Sequence, residues 1–425
     1  MSQISIIVTQ IMNYTKRFDQ IVAKIKEHQE MWNGEIITLY PDRLDIFNQE
    51  WVKELSLLTD EQLWQVDCFQ NTEFLNEGSF KTWLNELNEL CELPKYEYGE
   101  LEKLPDFAFN KVKGKKRHEI LVLAKLLKQV QAENDFSHLV DIGGGVGHLS
   151  RVMAHYKSIE CISLDINKDF QTIGEKRLHK YTKPEDHKNV TFITHDFTYD
   201  LKEEQTRDIF TDKSFSLGLH TCGPLALKHI DVATVNKTLG FINFGCCYNK
   251  LNPQTDCNIS QYSKNHGLTL TDYAFTLACR GHSSMDYNAF KLKRRVKDFR
   301  YAIHIFFYKY FGIKEVVAVG DSEPREYWGK FSDYLIGKCE KLGMKNEYSA
   351  QFIDDFFEDA KMQEYLKELF LCNVIRWQYG RSLELYLLID RCLYLQERGF
   401  SPLLLEFFDP SLSPRNIGIL LTRHS

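Results

Sequence analysis

At 425 residues the chain has room for two or three domains, or for one large domain with insertions. Its 43% hydrophobic and 26% charged content is that of a globular protein with a sizeable core, and it excludes wholesale disorder. The net charge of -6 argues against a globally basic nucleic-acid binder, but that charge is unevenly spread. Residues 1–112 hold 10 Lys and Arg against 20 Asp and Glu, while the rest of the chain holds 43 against 39. An acidic N-terminal domain with its own partner protein beside a mildly basic body is the expectation.

In chain order, residues 12–110 read mostly as helices. Asp60-Glu61-Gln62-Leu63-Trp64 has a capping aspartate and an acidic first turn, and Phe80 to Leu90 repeats apolar groups at helical spacing. Pro94 and Pro105 bracket an acidic connector, which places a boundary at 112/113. An amphipathic helix follows, with Ile120, Leu123, Ala124, Leu127 and Val130 on its apolar face. Strands are then expected at 138–142, 160–165, 190–194, 214–219 and 240–246, with helices at 148–157, 167–181 and 224–237. This alternation predicts a doubly wound, mostly parallel sheet of α/β class. A helical insertion is placed at about 250–380. A helix at 383–398 and two closing strands at about 403–408 and 417–423 complete a catalytic domain spanning 113–425.

Asp141-Ile142-Gly143-Gly144-Gly145-Val146-Gly147 carries the most chemistry. It joins the first strand to a helix opened by His148. Glycines allow a tight turn and a close backbone approach to a ligand, and the helix N-terminus behind them suits a small carboxylate. The next strand ends at Asp165, placed to accept hydrogen bonds from both hydroxyls of a ribose. The spacing D-x-G-x-G-x-G does not fit the dinucleotide fingerprint, which disfavours a nicotinamide oxidoreductase. It resembles motif I of the class I S-adenosylmethionine-dependent methyltransferases.

Further signatures extend that resemblance over residues 115–425. They are Lys115-Lys116-Arg117-His118-Glu119-Ile120, Leu219-His220-Thr221-Cys222-Gly223, Cys246-Cys247-Tyr248-Asn249-Lys250-Leu251, Ile389-Asp390-Arg391-Cys392-Leu393-Tyr394-Leu395-Gln396-Glu397, and Phe408-Asp409-Pro410-Ser411-Leu412-Ser413-Pro414-Arg415-Asn416. Together they resemble the methyltransferase-like protein twenty-five family, whose relatives also carry the name ribosomal RNA adenine dimethylase domain-containing protein. Pro224 and Asn249 stand where that family commonly has Asp and His. The resemblance implies that Asp141, Gly143, Gly145 and Gly147 hold the methionine part of the cofactor, with His148 opening the helix behind them. Asp165 would take the ribose, and Asp196 and Phe197 the adenine. Lys116, His118 and Glu119 would lie on a helix packed near the cofactor.

On the acceptor side, the turn after the fourth strand lacks the aromatic and carboxamide that adenine amino methylation uses. The rim residues His220, Cys222, Cys246, Cys247 and Tyr248 are the candidate catalytic set. One reading makes a cysteine the nucleophile that adds to a pyrimidine ring. A second makes His220, Cys222, Cys246 and Cys247 metal ligands. It is disfavoured because no Cys-x-x-Cys pair occurs and adjacent cysteines rarely point at one ion, so no metal is expected. A third makes the thiols small buried core residues, as free cysteines most often are. The basic run Lys291, Lys293, Arg294, Arg295, Lys297 and Arg300, edged by Phe299 and Tyr301, reads as a solvated helix face ahead of a nucleic-acid track.

The expected protein is a soluble methyltransferase with a macromolecular acceptor, RNA ahead of protein; the competing class is a non-catalytic interaction scaffold. Eleven scattered cysteines and no signal-peptide pattern in Met1 to Arg17 predict a reducing cytoplasmic or other intracellular setting. The apolar stretch Tyr301 to Phe311, broken by His304 and Lys309, is too short to span a membrane.

Overall fold

The computed structural model describes residues 12–41, 44–197, 206–236, 238–280 and 285–423. The N-terminal stretch read against a signal peptide therefore lies largely outside the described residues. These residues cluster into two compact units. One joins residues to Ala23 with Leu90–Gly281 and Ser382–Ser425, and the other joins Lys24–Glu89 with His282–Arg381. The division thus runs differently from the boundary drawn at 112/113.

The first unit is built on a seven-stranded sheet of β1 (His138–Ile142), β2 (Glu160–Asp165), β3 (Val190–Thr194), β4 (Ser214–Cys222), β5 (Gly240–Cys246), β6 (Leu403–Glu406) and β7 (Ile417–Thr422). Their order is β3-β2-β1-β4-β5-β7-β6. β1 to β5 are parallel, and β7 runs antiparallel to both β5 and β6. This is the Rossmann-like α/β architecture expected, with the antiparallel closing pair at one edge.

Its central strands β1, β4 and β5 are buried on both faces along most of their length, as in a sheet covered by helices on each side. Alternate residues serve opposite cores. Leu139, Cys161, Phe215 and Leu217 join one cluster with α1 (Gly114–Asn134) and α2 (His148–Lys157). Val140, Ile142, Ile162 and Leu164 join another with Val232 of α4 (Pro224–Val235). Between α2 and α4 in the chain lies α3 (Lys168–Tyr181). Along α1, Ile120, Val122, Leu123, Leu126, Leu127 and Val130 are completely buried. Each contributes roughly 1.5–3 kcal/mol relative to exposure. The strand order reverses between β1 and β4, so a crevice opens at their carboxyl ends, where doubly wound sheets bind ligands.

Polar contacts explain why the N-terminal segment and the proline-bracketed connector join this unit. The Tyr14 hydroxyl donates to Pro402 O at 2.9 Å and accepts from Leu404 N at 3.1 Å. Tyr96 N donates to Glu406 O, and Glu406 N to Pro94 O, so the connector lies along β6. The Ile389–Glu397 signature is a clamp on α5 (Gly380–Gln396) and the residue after it. Buried Asp390 accepts from Ile259 N, Ser260 N and Ser263 Oγ, and Glu397 accepts from Gln261 N and Tyr262 N.

The second unit is helical. The helix Asp60–Phe69 is capped by Thr59, not Asp60, with Gln62 closing a reciprocal capping box. Trp51, Phe80 and Trp83 pack as an aromatic cluster. The basic run on Tyr287–Phe306 is neither a solvated face nor a free track. Lys293 bonds to buried Asp67 at 2.9 Å and lies over Trp377, and Arg294 pairs with Asp60. Lys297 meets Glu35 at 3.3 Å, Arg300 meets Asp321 at 2.8 Å, and the Arg295 Nε donates to Tyr327 O. Among the described residues, no helix is long and apolar enough to cross a membrane.

Candidate active site at the carboxyl ends of β1, β2, β4 and β5

After β1 the chain turns through Gly143, Gly145 and Gly147 at φ of +70°, +60° and +62°, a region that L side chains avoid. Gly143 N and Gly144 N both donate to Leu164 O, which fixes the turn against the end of β2. Gly144 and Gly147 are packed tight: an added Cβ would lie 2.3 Å from Ser163 Oγ in the first case and 2.5 Å from the Phe192 ring in the second. Gly145 differs, because an added Cβ would meet nothing within 4 Å. Open space over Gly145 is the cradle a ligand needs.

Asp165 borders that cradle. Its Oδ2 accepts from Gly145 N and its Oδ1 from Asn167 N, each at 2.8 Å. The Gln171 amide, on α3, donates to Gly145 O at 2.8 Å and braces the loop from the other side. Ile166 is 64% exposed immediately after Asp165, an apolar surface beside the same space.

Asp141 is placed differently from the expectation of direct contact. It is 3% exposed and accepts from Ser150 Oγ at 2.7 Å, so it holds the loop to the start of α2. Burial pushes its carboxyl above the usual carboxylate range, with Ser150 and then Lys116 pulling the other way. His148 accepts from Arg177 at 3.2 Å. Burial, Arg151, Lys116 and Arg177 together press its pKa down to about 4, so the ring is neutral at physiological pH. Lys116 is thus close enough to act on both groups. Asp196 is half-buried after β3. Phe197 is 5% exposed and packs on Phe210, leaving little ring for adenine.

His118 does not face the cradle. Its Nε2 takes Asp409 N at 3.3 Å, and its ring sits between Tyr98 and Phe408. The next residue reaches the β4 rim instead. Glu119 is 1% exposed and accepts from His220 Nε2 at 2.9 Å and Ser413 Oγ at 2.6 Å. Burial raises its carboxyl, but the His220 and Ser413 bonds and Lys115 outweigh that and bring it below the ordinary value. An ionised carboxylate only accepts, so His220 Nε2 must be the donor. His220 itself sits at φ +60°, beside the register shift that interrupts the β4–β5 pairing between Gly218 and Thr221.

The three rim cysteines converge. Cys222 Sγ lies 3.4 Å from Cys246 Sγ and 3.3 Å from Cys247 Sγ. The Cys246 hydrogen bond lowers the Cys222 thiol most, burial opposes, and Cys247, Lys250 and His220 add to the fall, to about 5. Cys246 is raised, first by its bond to Cys222 and then by burial. Cys247 is raised first by burial. The argument that adjacent cysteines do not point together fails here. Tyr248 is not among the accessible groups. It is 1% exposed, its hydroxyl donates to Glu384 at 3.2 Å, and Arg391 covers its ring.

Residues 115–254 match the profile of a family described as a methyltransferase domain. Those residues are a methyltransferase domain. The chain is also similar to human "Probable methyltransferase-like protein 25" (Homo sapiens), at 25% identity over 270 residues. That similarity covers 58% of this chain but only 43% of the human protein, so the chain spans less than half of that relative. A 64-residue stretch is 39% identical to "Tricetin 3',4',5'-O-trimethyltransferase" of Triticum aestivum, covering 14% of this chain and 18% of that protein. Among solved structures, a coclaurine N-methyltransferase bound to N-methylheliamine and SAH aligns over 88% of this chain and 98% of its own. Its identity is 12% and its TM-score 0.28. At that score the sheet order, not the neighbour, defines the fold. The methyltransferase domain has the class I layout, a parallel β3-β2-β1-β4-β5 core with an antiparallel closing pair. The open space over Gly145 and the Asp165 carboxylate beside it would accommodate the aminoacyl and ribose ends of S-adenosylmethionine.

Proposed function

We propose that the chain is an S-adenosylmethionine-dependent methyltransferase acting on a macromolecular acceptor. The observation that supports this most directly is the pairing of an open Gly145 with Asp165 at the β1/β4 switch point. Bound there, the cofactor supplies an electrophilic methyl group on a sulfonium. The chain's own part is binding, orientation and exclusion of water. The backbone of Gly143, Gly145 and Gly147 and the start of α2 would meet the aminoacyl end, with Asp141 and His148 holding that loop. Asp165 would accept from the ribose hydroxyls, and Ile166 would lie along the adenine, with Asp196 near its amino group. His220 and the three cysteines, at the ends of β4 and β5, would form the acceptor side, where Glu119 sets the His220 ring.

RNA is the expectation ahead of protein, but the basic run, the one stretch weighed as a nucleic-acid track, is engaged with acidic and aromatic partners inside its own unit. The acceptor is best sought without that preference. Calorimetric titration of S-adenosylmethionine, with NAD as a control, should show saturable binding of the first alone. Transfer of a labelled methyl group to a cell extract should place label in material that ribonuclease or protease releases. Binding without transfer would replace the enzyme reading with a scaffold, and label confined to small molecules would overturn the macromolecular acceptor.

A further inference from the structure

The thiol cluster is more than a set of buried small residues, and its construction is specific. Cys222 ends β4 and Cys246 ends β5, and the two are partners in the parallel register. Their side chains therefore leave neighbouring strands on one face. Gly223 N donates to Cys246 O at 3.0 Å, which ties the two strand ends together. Cys247 then adopts φ +50°, a left-handed conformation disfavoured by about 1–2 kcal/mol for a residue with a Cβ. That turn brings a second sulfur from the same strand end back toward Cys222. All three Sγ atoms lie within 4.8 Å of one another.

We propose that Cys222, Cys246 and Cys247 bind one zinc-class ion through three thiolates, with its fourth position open to water or to an acceptor atom. With zinc–sulfur bonds of about 2.3 Å and tetrahedral angles, bound sulfurs stand about 3.8 Å apart. The observed 3.3 and 3.4 Å separations reach that value by small side-chain rotations. Soft thiolates select a thiophilic ion over calcium or magnesium. Three thiolates around a divalent cation leave one negative charge, and the positive charge of Lys250 acts on both Cys222 and Cys247. Cys246 is 7% exposed, whereas Cys222 and Cys247 are half-buried, so the cluster is anchored on one side and reachable on the other. Among the described residues, no fourth Cys, His, Asp or Glu completes the group at that span. Cys279 is nearby, but its thiol is engaged with Asn249 N at 3.3 Å and Asn249 Oδ1 at 3.4 Å. Three protein ligands with an open position is the form of a reactive zinc site, not a purely structural one.

The test is metal content by mass spectrometry on the full chain, produced with zinc and dialysed. The expected result is about one zinc per chain, lost in Cys222→Ser, Cys246→Ser and Cys247→Ser and kept in Cys279→Ser and in the remote Cys339→Ser. Cobalt in place of zinc should give a thiolate-to-metal charge-transfer band in the wild type, Cys279→Ser and Cys339→Ser, and none in the three variants that lose zinc. Circular dichroism and S-adenosylmethionine titration on the same samples separate loss of the ion from loss of the fold. A wild type produced with zinc that retains no metal, or zinc at the wild-type level in all three serine variants, overturns the site. Loss of zinc in Cys279→Ser overturns the open fourth position. Neither result touches the cofactor reading, which stands or falls on its own titration.

Discussion

Replacing Asp165 by alanine should weaken S-adenosylmethionine binding by about 3 kcal/mol, roughly 150-fold in Kd. A carboxylate offers about four lone-pair positions. Two are already used by Gly145 N and Asn167 N, which leaves two for ribose hydroxyls under the proposed placement. Hydrogen bonds to a charged group are worth roughly 1.5–3 kcal/mol each, and a half-exposed carboxylate belongs at the low end of that range. Asp165→Asn keeps one accepting oxygen and loses the charge, so it should fall between, at roughly tenfold. The assay is isothermal titration of both variants beside the wild type, with thermal melts to show that the loop remains folded. An Asp165→Ala protein that binds within threefold of the wild type would refute the placement of the ribose, whatever its effect on turnover.

Gly147→Ala should destabilise the first unit by about 2–5 kcal/mol, adding a left-handed φ to overpacking against Phe192. A Phe192→Leu change in the same chain should recover the packing part only; an unchanged denaturant midpoint in the single variant would contradict the geometry. His148 should make stability fall with acid. Its folded pKa of about 4 lies below its ordinary value, so between the two the unfolded chain binds the extra proton. The stabilisation is complete above the ordinary value and is lost as pH falls toward about 4. In His148→Gln that dependence should vanish. A wild-type-minus-variant difference in unfolding free energy that is the same at about pH 7.5 and pH 5 would refute the buried, neutral ring.

The sheet and the cradle were legible because their signals are local. A glycine at positive φ, an apolar run buried on both faces and an acidic strand end are properties of a few consecutive residues, and β1, β2, β3 and β5 fall at the predicted bounds. β4 runs three residues past its predicted end because the register shift at Gly218 to Thr221 lets pairing resume at Thr221 and Cys222. No periodicity announces such a bulge. The division into units was hidden for a related reason. Lys293–Asp67 and Lys297–Glu35 join residues more than two hundred positions apart, and a charge run read alone looks the same whether it is solvated or paired.

Glu119 lay between those cases. It stands within a signature, beside Lys116 and His118 on the helix expected near the cofactor, and nothing in that stretch alone singles it out. The helix phase held the answer, because Ile120, Leu123 and Leu127 mark the buried face of α1 and Glu119 adjoins it, whereas His118 turns toward Asp409. A carboxylate at 1% exposure is costly unless it is fully partnered. Its partners come from two other signatures, His220 near the end of β4 and Ser413 of the Phe408–Asn416 segment. Three stretches that look independent in the sequence therefore meet at one buried charge. If their purpose were packing alone, an apolar residue at 119 would serve at lower cost. The buried carboxylate is best explained by the ring it orients: His220 is fixed at the mouth of the crevice, two residues from Cys222, where the acceptor and the cofactor would have to meet.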